Sequence, residues 1–257
     1  MIFVVAGTQD GREIVKMLLE KGYDVAASVV SRYGGELLAY ACGQQCLIND
    51  KPLDGQALQA YMQAHDIKLL VDASHPYAAN VSRNAIEACA ALEIPYIRYE
   101  RDLSELNYDR ITVVHDYAEA AEAAARLGRK IFLTTGSRNL EKFVQSPALQ
   151  DCELTARVLP TAEVIALCED LGFDAGHIVA LQGPFSKELN VELFRKYGAE
   201  VIITKNSGTI GGTDTKFAAA AKLGLSIVLI DRPKLEYPCL VHTYAELLSW
   251  LESTLEK

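Results

Sequence analysis

The sequence lacks long apolar runs and an excess of basic residues. None of its apolar runs approaches the roughly 18 residues that a membrane-spanning helix needs. Its 34 acidic and 25 basic residues leave a formal charge of −9. That charge disfavours nucleic acid as a main partner, because duplex binders displace counterions with a basic surface. The N-terminus has no basic segment of a signal peptide, so we predict a cytoplasmic protein with no nucleic-acid or membrane partner.

Metal-binding and several catalytic motifs are also missing. The six cysteines include no C-x-x-C pair, and no second pair or H-x-x-x-H accompanies Cys42 and Cys46. We therefore expect free thiols and no metal held by the protein. The sequence also lacks the Tyr-x-x-x-Lys pair of short-chain dehydrogenases, the G-x-S-x-G elbow of α/β-hydrolases and the H-E-x-x-H motif of zinc proteases.

What the sequence does contain is a regular alternation of strands and helices. Its 257 residues, half of them apolar, are enough for one large or two ordinary α/β domains. Near-continuous apolar runs separated by helical segments are typical of a parallel sheet covered on both faces. The strands predicted in this way are 2–6, 25–30, 69–71, 111–114, 131–133, 178–181, 201–203 and 226–230.

The alternation weakens over residues 96–110, which are polar, aromatic-rich and poorly periodic. This stretch has the character of a connector between two α/β halves. We therefore predict two doubly wound parallel-sheet domains with a cleft between them. Residues 1–98 would form an N-terminal, nucleotide-binding domain, and residues 99–257 a C-terminal domain that carries the substrate and cofactor cleft.

The loops that follow strands are informative, because open parallel sheets bind ligands beyond the carboxyl ends of their strands. The first, AGTQDG, fits the G-x-G-x-x-G dinucleotide fingerprint only at Gly11, since Ala6 and Thr8 hold the first two glycine positions. A plain tight turn is the alternative. After the second strand come Ser31 and Arg32, where NAD enzymes usually carry an acid. An arginine there accommodates the 2′-phosphate of NADP, which favours NADPH and leaves NADH open.

The loop after the next strand, DASHPY, carries a candidate proton donor. Pro76 restrains His75 to an extended conformation and is suited to open a helix near Ala78. His75 would then point into the cleft, where a side chain that titrates near neutral pH can donate a proton. The alternative is a histidine hydrogen-bonded within the turn.

Three loops in the second half, residues 134–139, 182–187 and 204–213, are rich in small polar residues. The last is the strongest signal, because so many flexible residues and a lysine after a buried strand are costly to hold without a ligand. It is not a Walker A motif, and a merely mobile loop is the alternative. A cleft suited to phosphates but without an obvious nucleophile favours chemistry carried by a cofactor, such as hydride transfer.

In order along the chain, these loops resemble the precorrin-6A reductase family of cobalamin biosynthesis, which includes the cobalt-precorrin-6A reductases. The stretches that carry the resemblance are AGTQDGREI, DASHPYAANVSRNA, PYIRYER, FLTTGSRNLEKF, RVLPT, QGPFSKELN, TKNSGTIGGTDTKFAAA and VLIDRP. Each is weak alone, but the ordered set is specific and covers nearly the whole chain. The first loop departs from the family at Ala6, where Gly is usual, and at Gln9-Asp10, where Thr-Glu is common.

The resemblance implies two Rossmann-like domains with an interdomain cleft, and leaves open whether they exchange strands. It implies hydride transfer from NADPH or NADH to the tetrapyrrole precorrin-6A, giving precorrin-6B. Enzymes of the cobalt-early branch take the cobalt-containing macrocycle, whose metal arrives with the substrate. The branch stays open, as does the oligomeric state, a monomer or a small homo-oligomer.

The resemblance also implies roles for individual residues. His75 and Ser137 are the catalytic candidates, with solvent as another source of the proton. The candidates for cofactor binding are Gly7, Thr8, Gln9, Ser31, Arg32, Ser74, Lys205, Asn206, Ser207 and Gly208. The candidates for substrate binding are Tyr77, Gly136, Arg138, Gly183, Pro184, Phe185, Ser186 and Lys216.

An acidic protein needs local basic residues to bind a macrocycle that carries several carboxylates. The candidates are Arg83, Arg98, Arg101, Arg138, Lys187, Lys205 and Lys216, with solvated surface charges as the alternative. Two other functions stay open: a two-domain nucleotide-sugar transferase and a dinucleotide sensor without catalysis. The transferase would show no cofactor oxidation with any tetrapyrrole, and the sensor would bind a dinucleotide without turning it over.

Overall fold

The computed structural model describes residues 1–30, 32–43, 45–101, 108–206, 213–232 and 234–255. The described residues form two compact units, residues 1–101 with 234–255 and residues 108–232. Each unit contains one six-stranded sheet whose neighbouring strands all run parallel. The predicted class, α/β with two doubly wound parallel sheets, is confirmed.

The first unit has the strand order β12-β5-β4-β1-β2-β3. Its strands are β1 (Ile2–Val5), β2 (Val25–Ser28), β3 (Cys46–Asn49), β4 (Leu69–Asp72), β5 (Tyr96–Tyr99) and β12 (Leu240–Val241). Its helices are α1 (Gln9–Glu20), α2 (Arg32–Cys42), α3 (Gly55–Ala64), α4 (Ala79–Leu92) and α10 (Tyr244–Leu255). The order reverses direction between β1 and β4, so the loops after these two strands flank a switch point where such sheets bind ligands.

The second unit has the order β6-β11-β10-β7-β8-β9. Its strands are β6 (Ile111–Val114), β7 (Lys130–Leu133), β8 (Glu153–Val158), β9 (Ile178–Ala180), β10 (Val201–Lys205) and β11 (Ser226–Ile230). Its α-helices are α5 (Tyr117–Leu127), α6 (Leu140–Val144), α7 (Ala162–Asp170), α8 (Lys187–Lys196) and α9 (Thr213–Leu223). Three short 3-10 helices cover Ser137–Asn139, Pro147–Leu149 and Ala175–His177. The switch point of this sheet lies between β7 and β10.

The strands are apolar throughout because each sheet is covered on both faces. In β1, Ile2 and Val4 belong to the core cluster that α1 and α10 complete, whereas Phe3 and Val5 belong to the cluster with α3 and α4. Alternate side chains of a strand point to opposite faces, so a strand buried on both sides has no polar face to show. This is why apolar runs, and not alternation, marked the strands in the sequence.

The observed division differs from the predicted boundary after residue 98 in two ways. Residues 96–99, assigned to the connector, form the buried strand β5 of the first sheet, between β4 and the edge strand β12. Their polar character misled the prediction, because the charge of Arg98 is paired inside the unit. The C-terminal segment, predicted to belong to the second domain, packs in the first unit, since β12 pairs with β5 and α10 buries Leu247 and Leu251 in its core.

The cysteines are free thiols, as expected. Within the described ranges, no helix combines the length and the apolar character that a membrane crossing requires.

Candidate functional site

The first switch point is built around Thr8, which joins the loops after β1 and β4. The Thr8 hydroxyl accepts a hydrogen bond from the Gly11 amide at 3.0 Å and donates one to the Ala73 carbonyl at 2.9 Å. It thereby caps α1 and ties the two loops together. Thr8 therefore occupies the position of the second fingerprint glycine, and its hydroxyl is hydrogen-bonded within the protein.

The glycines of this loop meet the two steric demands of a dinucleotide site. A Cβ added at Gly11 would lie 2.6 Å from Ala6 Cα, so only glycine permits α1 to approach β1 this closely. A Cβ added at Gly7 would meet nothing within 4 Å, which leaves open space beside the exposed loop backbone. The N-terminus of α1 faces that space with amides and a positive dipole end, as phosphate sites require. Gln9, the first residue of α1, is exposed at the same point.

The structure describes only some of the residues near the predicted position of the adenosine ribose. At the end of β2, the Ser28 hydroxyl accepts a hydrogen bond from Asn49 Nδ2 at 3.1 Å, which joins β2 to β3. Ser31 lies outside the described residues. Arg32 is the first residue of α2, the helix that follows β2, which is where a residue that contacts the ribose is expected. The side chain of Arg32 lies outside the described part of the structure.

Beneath the loop after β4 lies a buried polar network centred on Asp72. One carboxylate oxygen, Oδ1, accepts hydrogen bonds from Arg98 Nη1 at 2.9 Å and from the Ser74 amide at 3.0 Å. The other, Oδ2, accepts from the hydroxyls of Ser82 at 2.6 Å and Tyr96 at 2.8 Å. Burial opposes ionisation of Asp72, but Arg98 and these hydrogen bonds hold its pKa below the usual value.

The network corrects the expectation that Arg98 binds substrate carboxylates. Arg98 is fully buried, and its Nε and Nη2 donate to Glu100 Oε2 at 3.0 and 2.8 Å. Its Nη1 also donates to the Ser74 hydroxyl at 3.0 Å. Arg98 is therefore a structural residue that holds the loop from below. Arg101, another candidate, pairs with Asp10 at 2.5 Å and hydrogen-bonds Tyr244 at 3.0 Å.

On top of this network, His75 and Tyr77 lie together at the carboxyl edge of the first sheet. Their ring centroids are 5.6 Å apart, and the Tyr77 amide donates to His75 Nδ1 at 3.3 Å. This contact leaves Nε2 to carry the ring proton of a neutral imidazole. His75 is exposed and Tyr77 half-buried, so the loop presents both rings outward.

In the second unit, the loop after β7 contributes Gly136, Ser137 and Arg138. Gly136 has a φ of 78°, a left-handed conformation that glycine adopts without strain, and it opens the 3-10 helix of the next residues. Arg138 is exposed and Ser137 half-buried. Just before them, the buried Thr135 hydroxyl has no hydrogen-bond partner among the described residues.

The loop after β9 contributes Gly183, Pro184, Phe185 and Ser186. The Phe185 ring lies 4.2 Å from the guanidinium carbon of Arg157, a cation–π contact. The Ser186 hydroxyl caps α8 by accepting from the Leu189 amide at 3.1 Å. Gly183 and Pro184 are exposed beside them.

Arg157 is the main site residue that the sequence reading missed. It is buried in β8, and its Nη1 donates to Asn190 Oδ1 at 2.7 Å. Burial lowers the pKa of Arg157 to about 10. The motif RVLPT contains Arg157, but the sequence around an arginine in an apolar strand does not indicate which other basic side chains lie near it in the folded protein.

Arg157 belongs to a group of positive charges at the carboxyl edge of the second sheet. We define the basic cluster as Arg138, Lys142, Arg157, Lys205 and Lys216. Burial, with Arg138 and Lys142, lowers the pKa of Lys205 to about 8. Burial, with Arg157 and Lys205, lowers the pKa of Lys216 to about 7. Cations gathered in this way disfavour one another, so the cluster is suited to bind an anion.

Three further observations concern the same edge. Lys205 ends β10 with its Nζ 5.7 Å from the centre of the Tyr117 ring, and Asn206, which follows it, is buried. Thr213 begins α9, and its buried hydroxyl has no hydrogen-bond partner in the described part of the chain. Ser207 and Gly208 lie outside the described residues. Unmet buried hydroxyls beside clustered cations are typical of a site whose ligand supplies the missing partners.

A cavity of about 240 Å³ lies elsewhere in the second unit. It is lined in part by Cys152, Glu153 and His177, which lie at the starts of β8 and β9. This is the amino edge of the sheet, opposite the loops that carry the candidate residues. Among the described residues, no group of three His, Cys, Asp or Glu side chains is arranged to hold a metal ion.

The comparisons with known proteins agree on one family. The sequence model of "Precorrin-6x reductase CbiJ/CobK" matches residues 1–252. The cobalt-precorrin-6A reductase of Priestia megaterium is 41% identical over 249 residues, which cover 96% of each chain. That of Methanocaldococcus jannaschii is 36% identical over 252 residues, 97% of each chain.

A relative whose name does not mention cobalt and a solved structure are similar as well. The precorrin-6A reductase of Rhodobacter capsulatus is 29% identical over 252 residues, 97% of this chain and 95% of its own length. The structure of CobK precorrin-6A reductase superposes with a TM-score of 0.82 at 26% identity. That superposition covers 98% of this chain and 96% of the other.

Proposed function

Because the chain belongs to the precorrin-6x reductase CbiJ/CobK family, we propose that it reduces cobalt-precorrin-6A with NADPH as the preferred hydride source. It is an oxidoreductase of cobalamin biosynthesis that reduces precorrin-6A with a nicotinamide cofactor. The cobalt-containing substrate is favoured by the relatives. Those with cobalt-precorrin-6A in their names reach 41 and 36% identity, whereas the Rhodobacter capsulatus enzyme without it is 29% identical.

The observation that carries the proposal is the basic cluster. A protein with a net charge of −9 must bind a macrocycle with several carboxylates, and it gathers five basic side chains at one sheet edge. We assign Lys216 and Arg138 to these carboxylates. The substrate-binding group is completed by Tyr77, Gly136, Gly183, Pro184, Phe185 and Ser186.

The residues of the first switch point fit a dinucleotide. Gly11 permits the close approach of α1 to β1, and Gly7 leaves space for a pyrophosphate at the helix N-terminus. We assign Gly7, Thr8 and Gln9 to the pyrophosphate, with Ser31 and Arg32 at the adenosine ribose. Ser74, Lys205, Asn206, Ser207 and Gly208 complete the proposed cofactor contacts.

When bound, the reduced nicotinamide supplies the hydride. The residues of the chain bind and orient the two ligands and manage the proton that accompanies the hydride. Our sequence candidates for handling that proton are His75, on the loop after β4, and Ser137, on the loop after β7, with solvent as another source.

The test is anaerobic turnover, followed by the absorbance of the reduced cofactor. Cobalt-precorrin-6A and metal-free precorrin-6A are each supplied with NADPH and with NADH. We expect the largest kcat/KM for cobalt-precorrin-6A with NADPH. Faster reduction of the metal-free macrocycle would contradict the assigned substrate, and a preference for NADH would contradict the assigned cofactor. If none of the four pairs reacts, the transferase and sensor alternatives gain support.

A further inference from the structure

Lys216 is the most deeply buried lysine of the basic cluster. It lies in the first turn of α9, at the carboxyl edge of the second sheet, and is 5% exposed. Over the described ranges, no hydrogen bond or ion pair joins its ammonium group to another residue. A buried ammonium without a partner is costly, so the position requires either a ligand or loss of the proton.

The charges that face Lys216 make its proton still easier to lose. Arg157 of β8 and Lys205 at the end of β10 both disfavour the charged form. From α8, the neighbouring buried polar side chain is Asn190, whose Oδ1 accepts from Arg157 and whose Nδ2 donates to Thr215 Oγ1 at 3.4 Å. These residues therefore present positive charge and an amide to Lys216.

The remaining charges near this helix are of both signs. Asp214, the next residue but one before Lys216, is exposed in the first turn of α9. At the end of β11, Asp231 accepts a hydrogen bond from the Arg232 amide at 2.9 Å, and Arg232 Nε donates to the Asn206 carbonyl at 2.8 Å. Neither acid is a principal influence on the pKa of Lys216, which burial and the two cations set.

We propose that Lys216 supplies the proton that accompanies hydride transfer, and that the anionic substrate loads Lys216 with this proton when it binds. The inference rests on the proposed function. A substrate carboxylate beside the amine favours the ammonium form, so binding takes a proton from solvent. Reduction of a ring double bond then needs one proton at the carbon next to the one that receives the hydride.

The Nζ–H bond breaks, a C–H bond forms with the electron pair of the reduced double bond, and the macrocycle gains two electrons with the hydride. Lys216 is left as a neutral amine, which regains its proton from water. In the free protein, burial and the neighbouring cations lower the pKa of Lys216 to about 7, so its surroundings tolerate the neutral amine that donation leaves. Ser137 has no comparable acidity, and the exposed His75 would share its proton with solvent.

The first experiment measures proton uptake without turnover. Cobalt-precorrin-6A is titrated into the protein without reduced cofactor, by calorimetry in buffers of different ionisation enthalpy. Given a free pKa of about 7, Lys216 is roughly nine-tenths neutral at pH 8 and about one-tenth neutral at pH 6. We therefore expect Lys216→Met to reduce uptake by nearly one proton at pH 8 and by little at pH 6. Lys222→Met, at an exposed position of the same helix, is the matched control and should match the wild type.

The second experiment distinguishes proton donation by Lys216 from the effect of its positive charge on substrate binding. Lys216→Arg keeps a cation but cannot release a proton at working pH, so KM should change little. Its kcat should fall by about 10²-fold or more, the usual contribution of a general acid. In the wild type, kcat/KM should decline above about pH 7, because the required ammonium form is lost, and Lys216→Arg should lack this decline.

The two hypotheses fail in different ways. If the wild type reduces the macrocycle while Lys216→Arg keeps its kcat within about threefold, or takes up as many protons as the wild type, Lys216 is not the donor. If the wild type neither binds nor reduces the macrocycle, the proposed function itself is wrong.

Discussion

Replacing Arg98 by methionine should destabilise the first unit more than any change at its surface. Arg98 is fully buried, with Nη1 2.9 Å from Asp72 Oδ1 and Nη2 2.8 Å from Glu100 Oε2. The variant would leave the Asp72 carboxylate inside the unit with hydroxyl and amide donors but no cation. Breaking one partner of a buried ion pair typically costs about 3–5 kcal/mol, and we expect a loss in that range.

The chain contains a convenient probe of this unit. Its single tryptophan, Trp250, packs against the core of the first unit, so urea unfolding followed by tryptophan fluorescence reports on that core. Lys68→Met is the matched control, because it removes an exposed ion pair with Asp66 in the same unit and should leave the urea midpoint nearly unchanged.

A second replacement tests whether the uncompensated charge is the cause. Arg98→Met combined with Asp72→Asn removes the buried charge as well, so the double variant should be more stable than Arg98→Met alone. If Arg98→Met shifts stability by less than about 1 kcal/mol, or if the two losses simply add, the ion pair is not what holds this loop.

The same pair predicts a dependence on pH. Because the pKa of Asp72 is lower in the folded protein, its ionisation stabilises the fold above its unfolded pKa, about 3.9. This stability is lost as the pH falls through the lower folded value. Acid unfolding of the wild type should therefore contain a contribution that Asp72→Asn lacks. Identical acid profiles would contradict the assignment.

Two further predictions concern the cofactor. Gly11→Ala places a Cβ 2.6 Å from Ala6 Cα and should cost about 1–3 kcal/mol by overpacking, whereas Gly7→Ala should leave the urea midpoint unchanged and only weaken NADPH binding. Equal midpoints for the two variants would refute the steric argument. Arg32→Glu should raise KM for NADPH at least tenfold and leave that for NADH within about threefold, because it removes the partner of the 2′-phosphate. A parallel loss for both cofactors would place the 2′-phosphate elsewhere.

The sequence was most informative where local patterns carry the structure. The apolar run of β1 is a local feature, and it lies where the sequence predicted a strand. The strand order was not predicted, because it depends on contacts between distant segments. Among the missed strands, β5 contains Arg98 and β12 has two residues, so neither has a strong pattern of its own.

The candidate residues follow the same division. The motifs predicted which loops carry Gly7, Gly136 and Lys205, because loops after parallel strands share one edge of a sheet. They did not predict that Arg98 forms a buried ion pair with Asp72. An ion pair between two strands cannot be predicted from the sequence of either strand alone.

By itself, the sequence determined the α/β class, the family and the loops in which its polar residues occur, because these depend on short-range periodicity and on ordered motifs. Only the tertiary structure decided which charges are paired with acids and which lie close to other cations. Arg98 and Arg157 are both arginines in buried strands, yet one is neutralised by acids and the other is stacked on Phe185 near Lys216. The difference is physical: the free energy of a buried charge depends on the groups around it in space, and the chain brings those groups together only when it folds.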